Sequence, residues 1–176
     1  MKFAKKTSAL LLALALMLGL TAVPAFAAEA SAVEKQCIVT VTETADADAR
    51  TNVNMGTTIG NKSIPNSKAQ VNLGTSGSRS YSWSIDAGSG LYSADTFKTE
   101  SEKLVVTMKA SPSTTSITVY LYTSNGSQVA SQTVSVGTIL NKTVTFSNLT
   151  SANYYYFRLV NNDQHTATIS GTFAAK

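Results

Sequence analysis

"SRSYSWSI", residues 78 to 85, sets a serine against a larger residue through four cycles. An extended strand turns successive side chains to opposite faces, so Arg79, Tyr81, Trp83 and Ile85 share one side and the serines the other. No window of about a dozen residues beyond the leader repeats apolar positions at helical spacing. Alternation recurs instead. Leu104, Val106 and Met108 share a face, as do Ile117, Val119 and Leu121, and Val39 and Val41 alternate with Ile38 and Thr40. Val144 with Phe146, and Ala167, Ile169, Gly171 and Phe173, follow the same rule. Turn text separates the runs: Asp86-Ala87-Gly88-Ser89-Gly90, Ser111-Pro112-Ser113, Ser124-Asn125-Gly126-Ser127 and Asn161-Asn162-Asp163. Asn-Gly favours the positive φ angles of a tight hairpin. Short alternating strands at hairpin spacing with no helix between them predict an all-β fold, an antiparallel β-sandwich. Trp83, beside Tyr81 and Ile85, belongs to its core. Residues 45–77, rich in Asn, Gly and Thr, read either as short edge strands or as a long ordered loop.

The chain begins with a different text. Lys2, Lys5 and Lys6 precede an apolar run from Ala9 to Val23, Pro24 breaks it, and Ala25-Phe26-Ala27 is a small-x-small cleavage site. This pattern predicts a secretory signal peptide over residues 1–28, removed after Ala27 or Ala28. The run is shorter than a membrane span and no basic cluster follows it. A lipid anchor would need a cysteine at the cleavage point, and Cys37 lies beyond it. The expectation is a secreted, extracellular protein with no membrane anchor after cleavage, and a single domain over residues 29–176.

Removal of the leader takes three of the 14 basic residues, leaving 11 against 10 acidic ones. The basic pI therefore belongs to the leader, and with no Lys/Arg cluster left the sequence points away from nucleic acid as a partner. Of the 148 residues that follow, 43 are Ser or Thr. Cys37, the sole cysteine, has no internal disulfide partner and reads as a small strand hydrophobe; a link to another chain stays open.

From residue 78 to 176 the chain resembles the bacterial pre-peptidase C-terminal domain. The resemblance is carried by "SYSWSI", "EKLVVTMKA", "ITVYLYTSNGSQVAS" and "TVTFSNLTSANYYYFRLVNND". It implies a jelly-roll β-sandwich of the kind found beside secreted enzymes. Such domains usually trail a hydrolase, for which this chain has no room, and relatives that bind calcium or polysaccharide use residues not matched here. Fibronectin-like sandwiches share the "LT…YYFR" rhythm through their tyrosine corner and remain an alternative.

The densest aromatic text is "NLTSANYYYFRLVNND", residues 148 to 163. Alternation sends Tyr155, Phe157 and Leu159 inward and Tyr154, Tyr156 and Arg158 outward. In "ITVYLYTS" it leaves Tyr120 and Tyr122 outward. If both strands share a sheet, Tyr120, Tyr122, Tyr154, Tyr156 and Arg158 form an exposed aromatic patch. Tyrosine and arginine there suit stacking on sugar rings or anchoring a protein. The alternative is that these rings only stabilise neighbouring strands through cross-strand packing.

Other chemistry is sparse. No HExxH, Cys-x-x-Cys, EF-hand loop, G-x-S-x-G elbow, P-loop or dinucleotide fingerprint occurs. One histidine, His165, argues against a zinc site, and no cofactor is expected. Asp46 and Asp48, with Asp86 or Asp95, are the nearest approach to a calcium site, which needs six to eight oxygens. A Cys37–His165 pair, or acids drawn from Glu43, Glu100 and Glu102, would be needed for a small hydrolase. The expectation is a non-catalytic binding module whose partner is a carbohydrate, the cell wall or a cell-surface protein. An assembly subunit pairing through strand edges is the second reading.

Overall fold

The computed structural model of the chain describes residues 36–44, 53–65, 69–112 and 115–176. The expected signal peptide, and Asp46 and Asp48, lie outside these residues. Among the described residues the chain is all-β, with thirteen strands and no helix. They are β1 (Ile38–Thr44), β2 (Val53–Thr57), β3 (Gly60–Asn61), β4 (Gln70–Asn72), β5 (Gly77–Ile85), β6 (Gly90–Ser93) and β7 (Thr96–Lys98). There follow β8 (Leu104–Ser111), β9 (Thr115–Thr123), β10 (Gln128–Val136), β11 (Asn141–Ser147), β12 (Tyr155–Asn161) and β13 (Ala167–Ala175).

Two sheets form. The first has the order β1-β11-β8-β13-β5-β2; the second runs β10-β9-β12-β6-β3, with β7 on β12 and β4 on β7. Pairing is antiparallel except for β2 on β5 and β4 on β7. Of the stretch 45–77, which the sequence left between edge strands and loop, the described residues supply β2, β3 and β4, all at sheet margins.

The inward faces follow the alternation. Tyr81, Trp83, Ile85, Val106, Met108 and Phe173 of the first sheet meet Ile117, Val119, Leu121, Phe157 and Leu159 of the second in one buried cluster. At its centre the Trp83 and Phe157 rings stack across the gap, 5.2 Å apart at 12°, with Phe173 5.1 Å from Phe157 and Phe97 4.7 Å from Phe173. Aromatic pairs at these separations stabilise beyond their buried area. Trp83 donates its Nε1–H to the Thr58 carbonyl at 3.2 Å, so the indole is satisfied inside the core.

The turns stand where the sequence put them, but most are not hairpins. Among the described residues only β9 and β10, joined through Asn125-Gly126, are consecutive strands paired to each other; Gly126 takes φ +93°. The turns at Asp86–Ser89, Ser111–Pro112 and Asn161–Asp163 instead carry the chain between sheets. A turn signal reports that the backbone reverses; which sheet receives the next strand depends on which partner buries its apolar face.

Tyr155 ends in a tyrosine corner. Its hydroxyl accepts from the Thr150 N–H at 2.8 Å and donates to the Thr150 carbonyl at 3.1 Å. This closes the loop entering β12 and fixes the phase of the aromatic run that follows.

Candidate functional site: an aromatic face on the second sheet

β9 and β12 are neighbours, and their register sets Tyr156 opposite Tyr122 and Arg158 opposite Tyr120. On the other side of β12, Arg158 stands opposite Tyr92 of β6. Directly opposed side chains in an antiparallel pair lie within about 5 Å at Cβ, close enough for rings to touch. Tyr122 and Tyr156 lie 5.1 Å apart at 13°, and Tyr120 and Tyr122 6.2 Å apart at 23°. Tyr92 leans on the middle ring and one end of this row, 6.4 Å from Tyr122 and 5.9 Å from Tyr156. The result is a ladder of near-parallel rings closed on one side by a tilted fourth.

One cation borders the ladder and a second lies against Tyr154. The Arg158 guanidinium lies over the Tyr92 ring, 5.0 Å from its centroid, and Lys98 Nζ lies 5.8 Å from the Tyr154 centroid. Glycine at position 90 leaves room for the arginine, since a Cβ there would stand 2.8 Å from Arg158 Nε. That Nε is buried and has no hydrogen-bond partner, so the guanidinium is held by ring contact and packing rather than by a carboxylate.

Of the sequence-derived patch, Tyr120, Tyr122, Tyr156 and Arg158 are brought together in one sheet, while Tyr154 lies just before β12 against Lys98; one further expectation is corrected. Tyr156 was expected to stand exposed. It faces outward but is only 1% exposed, because Tyr122 and Tyr92 cover it. Alternation gives the face of a sheet, whereas burial depends on what neighbouring strands lay across it. Tyr120, Tyr122, Tyr154 and Arg158 are partly exposed. Burial, and then the nearby phenols of Tyr92 and Tyr122, push the Tyr156 hydroxyl above the ordinary tyrosine range.

Tyr92 was not among the sequence candidates. The available signal was Leu91-Tyr92 in a short run bounded by Gly90 and Ser93, with leucine inward and tyrosine outward. Nothing local to that run says that its strand lies beside β12.

The remaining candidate groups stay apart. Cys37 precedes the residue opposite Ser147, at the end of the first sheet that holds Leu104 and Ala175. His165 precedes Ala167, which faces Ile85 at the opposite end. Glu43 pairs with Lys142 at 2.8 Å, and Glu100 accepts from Asn72 at 3.3 Å. Asp95 pairs with Arg79 at 3.3 Å, and Asp86 accepts from the Thr166 hydroxyl at 3.3 Å. Among the described residues no three His, Cys, Asp or Glu side chains gather to hold a metal ion. No helix among them is long and apolar enough to cross a membrane.

No protein-family model matches the chain, and no curated protein matches it in sequence.

Proposed function

We propose that this chain is a secreted, non-catalytic β-sandwich module that binds an extracellular partner through the aromatic face of its second sheet. The partner is a polysaccharide of the cell wall or matrix, or a surface protein presenting such groups. One observation carries the reading. The registers of β6, β9 and β12 gather Tyr92, Tyr120, Tyr122 and Tyr156 with Arg158 on one outer face. The ladder is organised before any ligand arrives, since the rings hold one another. Rings fixed in advance lose little rotamer freedom on binding, so more of the contact energy remains for affinity. Tyrosine hydroxyls and a guanidinium are suited to a hydroxyl-rich or partly anionic surface.

The order β5-β13-β8-β11 in one sheet and β6-β12-β9-β10 in the other supports a jelly roll, in which two Greek keys wrap into paired sheets. These eight strands span Gly77–Ala175, nearly the stretch that resembles the pre-peptidase C-terminal domain. The leader text supports export.

Pulldown on insoluble cell-wall glycans tests the function, comparing the wild type with Tyr120→Ala, Tyr154→Ala and Arg158→Ala. These residues are partly exposed, so each substitution is expected to weaken retention while lowering the thermal midpoint by only about a few degrees. Retention equal to wild type in all three sinks the proposal. Tyr156→Ala is unsuitable, because it empties a buried position.

A further inference from the structure

β1 and β2 are consecutive in the chain, yet they form opposite edges of the first sheet. Eight residues, 45–52, join them. The pairings fix their directions. β1, β8 and β5 run the same way because each is antiparallel to the strand between, and β2 is parallel to β5. The connection must therefore return from the finishing end of β1 to the starting end of β2.

Its length can be compared with that span. Five strand intervals of about 4.8 Å place the two edges roughly 24 Å apart. Thr44 is level with Asn141, and the partners carry that level through Lys109 and Ser170 to Ser82 of β5. Val53 is instead level with Gly77. Those five residues of β5, at about 3.3 Å each, add roughly 16 Å along the strands, for a straight line of about 29 Å. Nine peptide steps from Thr44 to Val53 reach about 32 Å at most. The straight line also passes through the sheet, and any route around the sheet is longer. Parallel crossovers between mere neighbours take about a dozen residues or more. The span between these two described ends is thus close to the greatest reach of eight intervening residues.

β1 is also lightly seated. β11 is its sole partner in the sheet. Ile38 and Val41 are 52% and 41% exposed, and only Cys37 and Val39 of this segment pack against the core. A connection that is short for its span favours exchange of the element it holds. A second copy offers the identical β11 seat, and the connection then leads to that strand's own body instead of across the sheet.

We propose that β1 is exchanged between copies of this chain, the β1 of one pairing with the β11 of the other in the register seen here. Reciprocal exchange closes a dimer; one-way exchange extends a chain of subunits. The seat lies on the first sheet, so the inference is independent of the aromatic face and of its ligand.

Thr42 faces Thr143 across the pair. In a Cys37→Ser background, Thr42→Cys is placed in one full-length chain and Thr143→Cys in a heavy-isotope-labelled one. The two are mixed at high concentration, oxidised and read by intact mass. A disulfide joining a light to a heavy chain is expected. It should be lost when about a dozen Gly/Ser residues are inserted into 45–52. The double variant Thr42→Cys/Thr143→Cys with that insertion should close its disulfide within one chain. Absence of the mixed species, with the uninserted double variant linking only within monomers, overturns the proposal. So does a mixed species that survives the insertion unchanged, since the short span is then not its cause. A double variant that forms no disulfide overturns it too, because β1 is then not on β11.

Discussion

Gly171 shows how one absent side chain supports the core. A Cβ at this position would stand 1.9 Å from the Thr107 carbonyl oxygen. That carbonyl has turned to accept the Tyr81 hydroxyl at 2.8 Å, while the Thr172 N–H is satisfied by Thr107 Oγ1 at 3.1 Å. Gly171→Ala should therefore force the backbone apart and cost about 3 kcal/mol or more, measured by chemical denaturation. Tyr81→Phe, which leaves the buried carbonyl without its donor, should cost about 1–2 kcal/mol. Tyr81 also governs alkaline stability. Burial raises its phenol far above the ordinary value of 10.0, and Tyr156 is raised in the same direction. A folded-state pKa above the unfolded one gives stability that is complete below about pH 10 and lost as the unfolded chain ionises above it. The thermal midpoint should fall beyond that pH, and Tyr81→Phe and Tyr156→Phe should each flatten the fall. The alternation in "SRSYSWSI" placed Tyr81 in the core from sequence alone. The need for glycine at 171 was not legible, because it arises from a carbonyl on another strand.

Among the elements, the aromatic ladder separates covering from display. Tyr122 stands between Tyr120 and Tyr156, whereas Tyr120 has one stacked neighbour in the row. Aromatic pairs contribute about 0.5–1.5 kcal/mol beyond area, so Tyr122→Ala should destabilise by about 2 kcal/mol and Tyr120→Ala by about 1. Denaturant midpoints decide this; equal effects would mean the rings do not support one another. Tyr122→Ala should also bring the Tyr156 phenol back toward its ordinary range in an ultraviolet titration, since it removes both cover and a neighbouring phenol. The facing of each ring was legible, because a strand's period of two needs no partner. The adjacency of β6, β9 and β12 was not, since 62 residues separate Tyr92 from Tyr154 in the chain. Tyr92 was missed for that reason, and Tyr156 was misjudged as exposed for the same one.

In the whole molecule, stability comes from packing between two sheets. The only cysteine is Cys37, and burial raises its thiol above the ordinary range. Reductant should therefore leave the thermal midpoint unchanged, and alkylation of Cys37 at neutral pH should be slow. A midpoint that drops on reduction would reveal a covalent link between chains. The sequence by itself determined the all-β class, the inward residues of the long strands, the tight turn at Asn125-Gly126 and the leader text. Each of these rests on side-chain period or backbone φ preference over a few neighbouring residues. Only the tertiary structure decided that most turns change sheets, that β1 and β2 stand at opposite edges, and that a further tyrosine, Tyr92, joins the outward face. Those outcomes depend on which distant strands bury each other's apolar sides, a long-range free energy that no local stretch encodes.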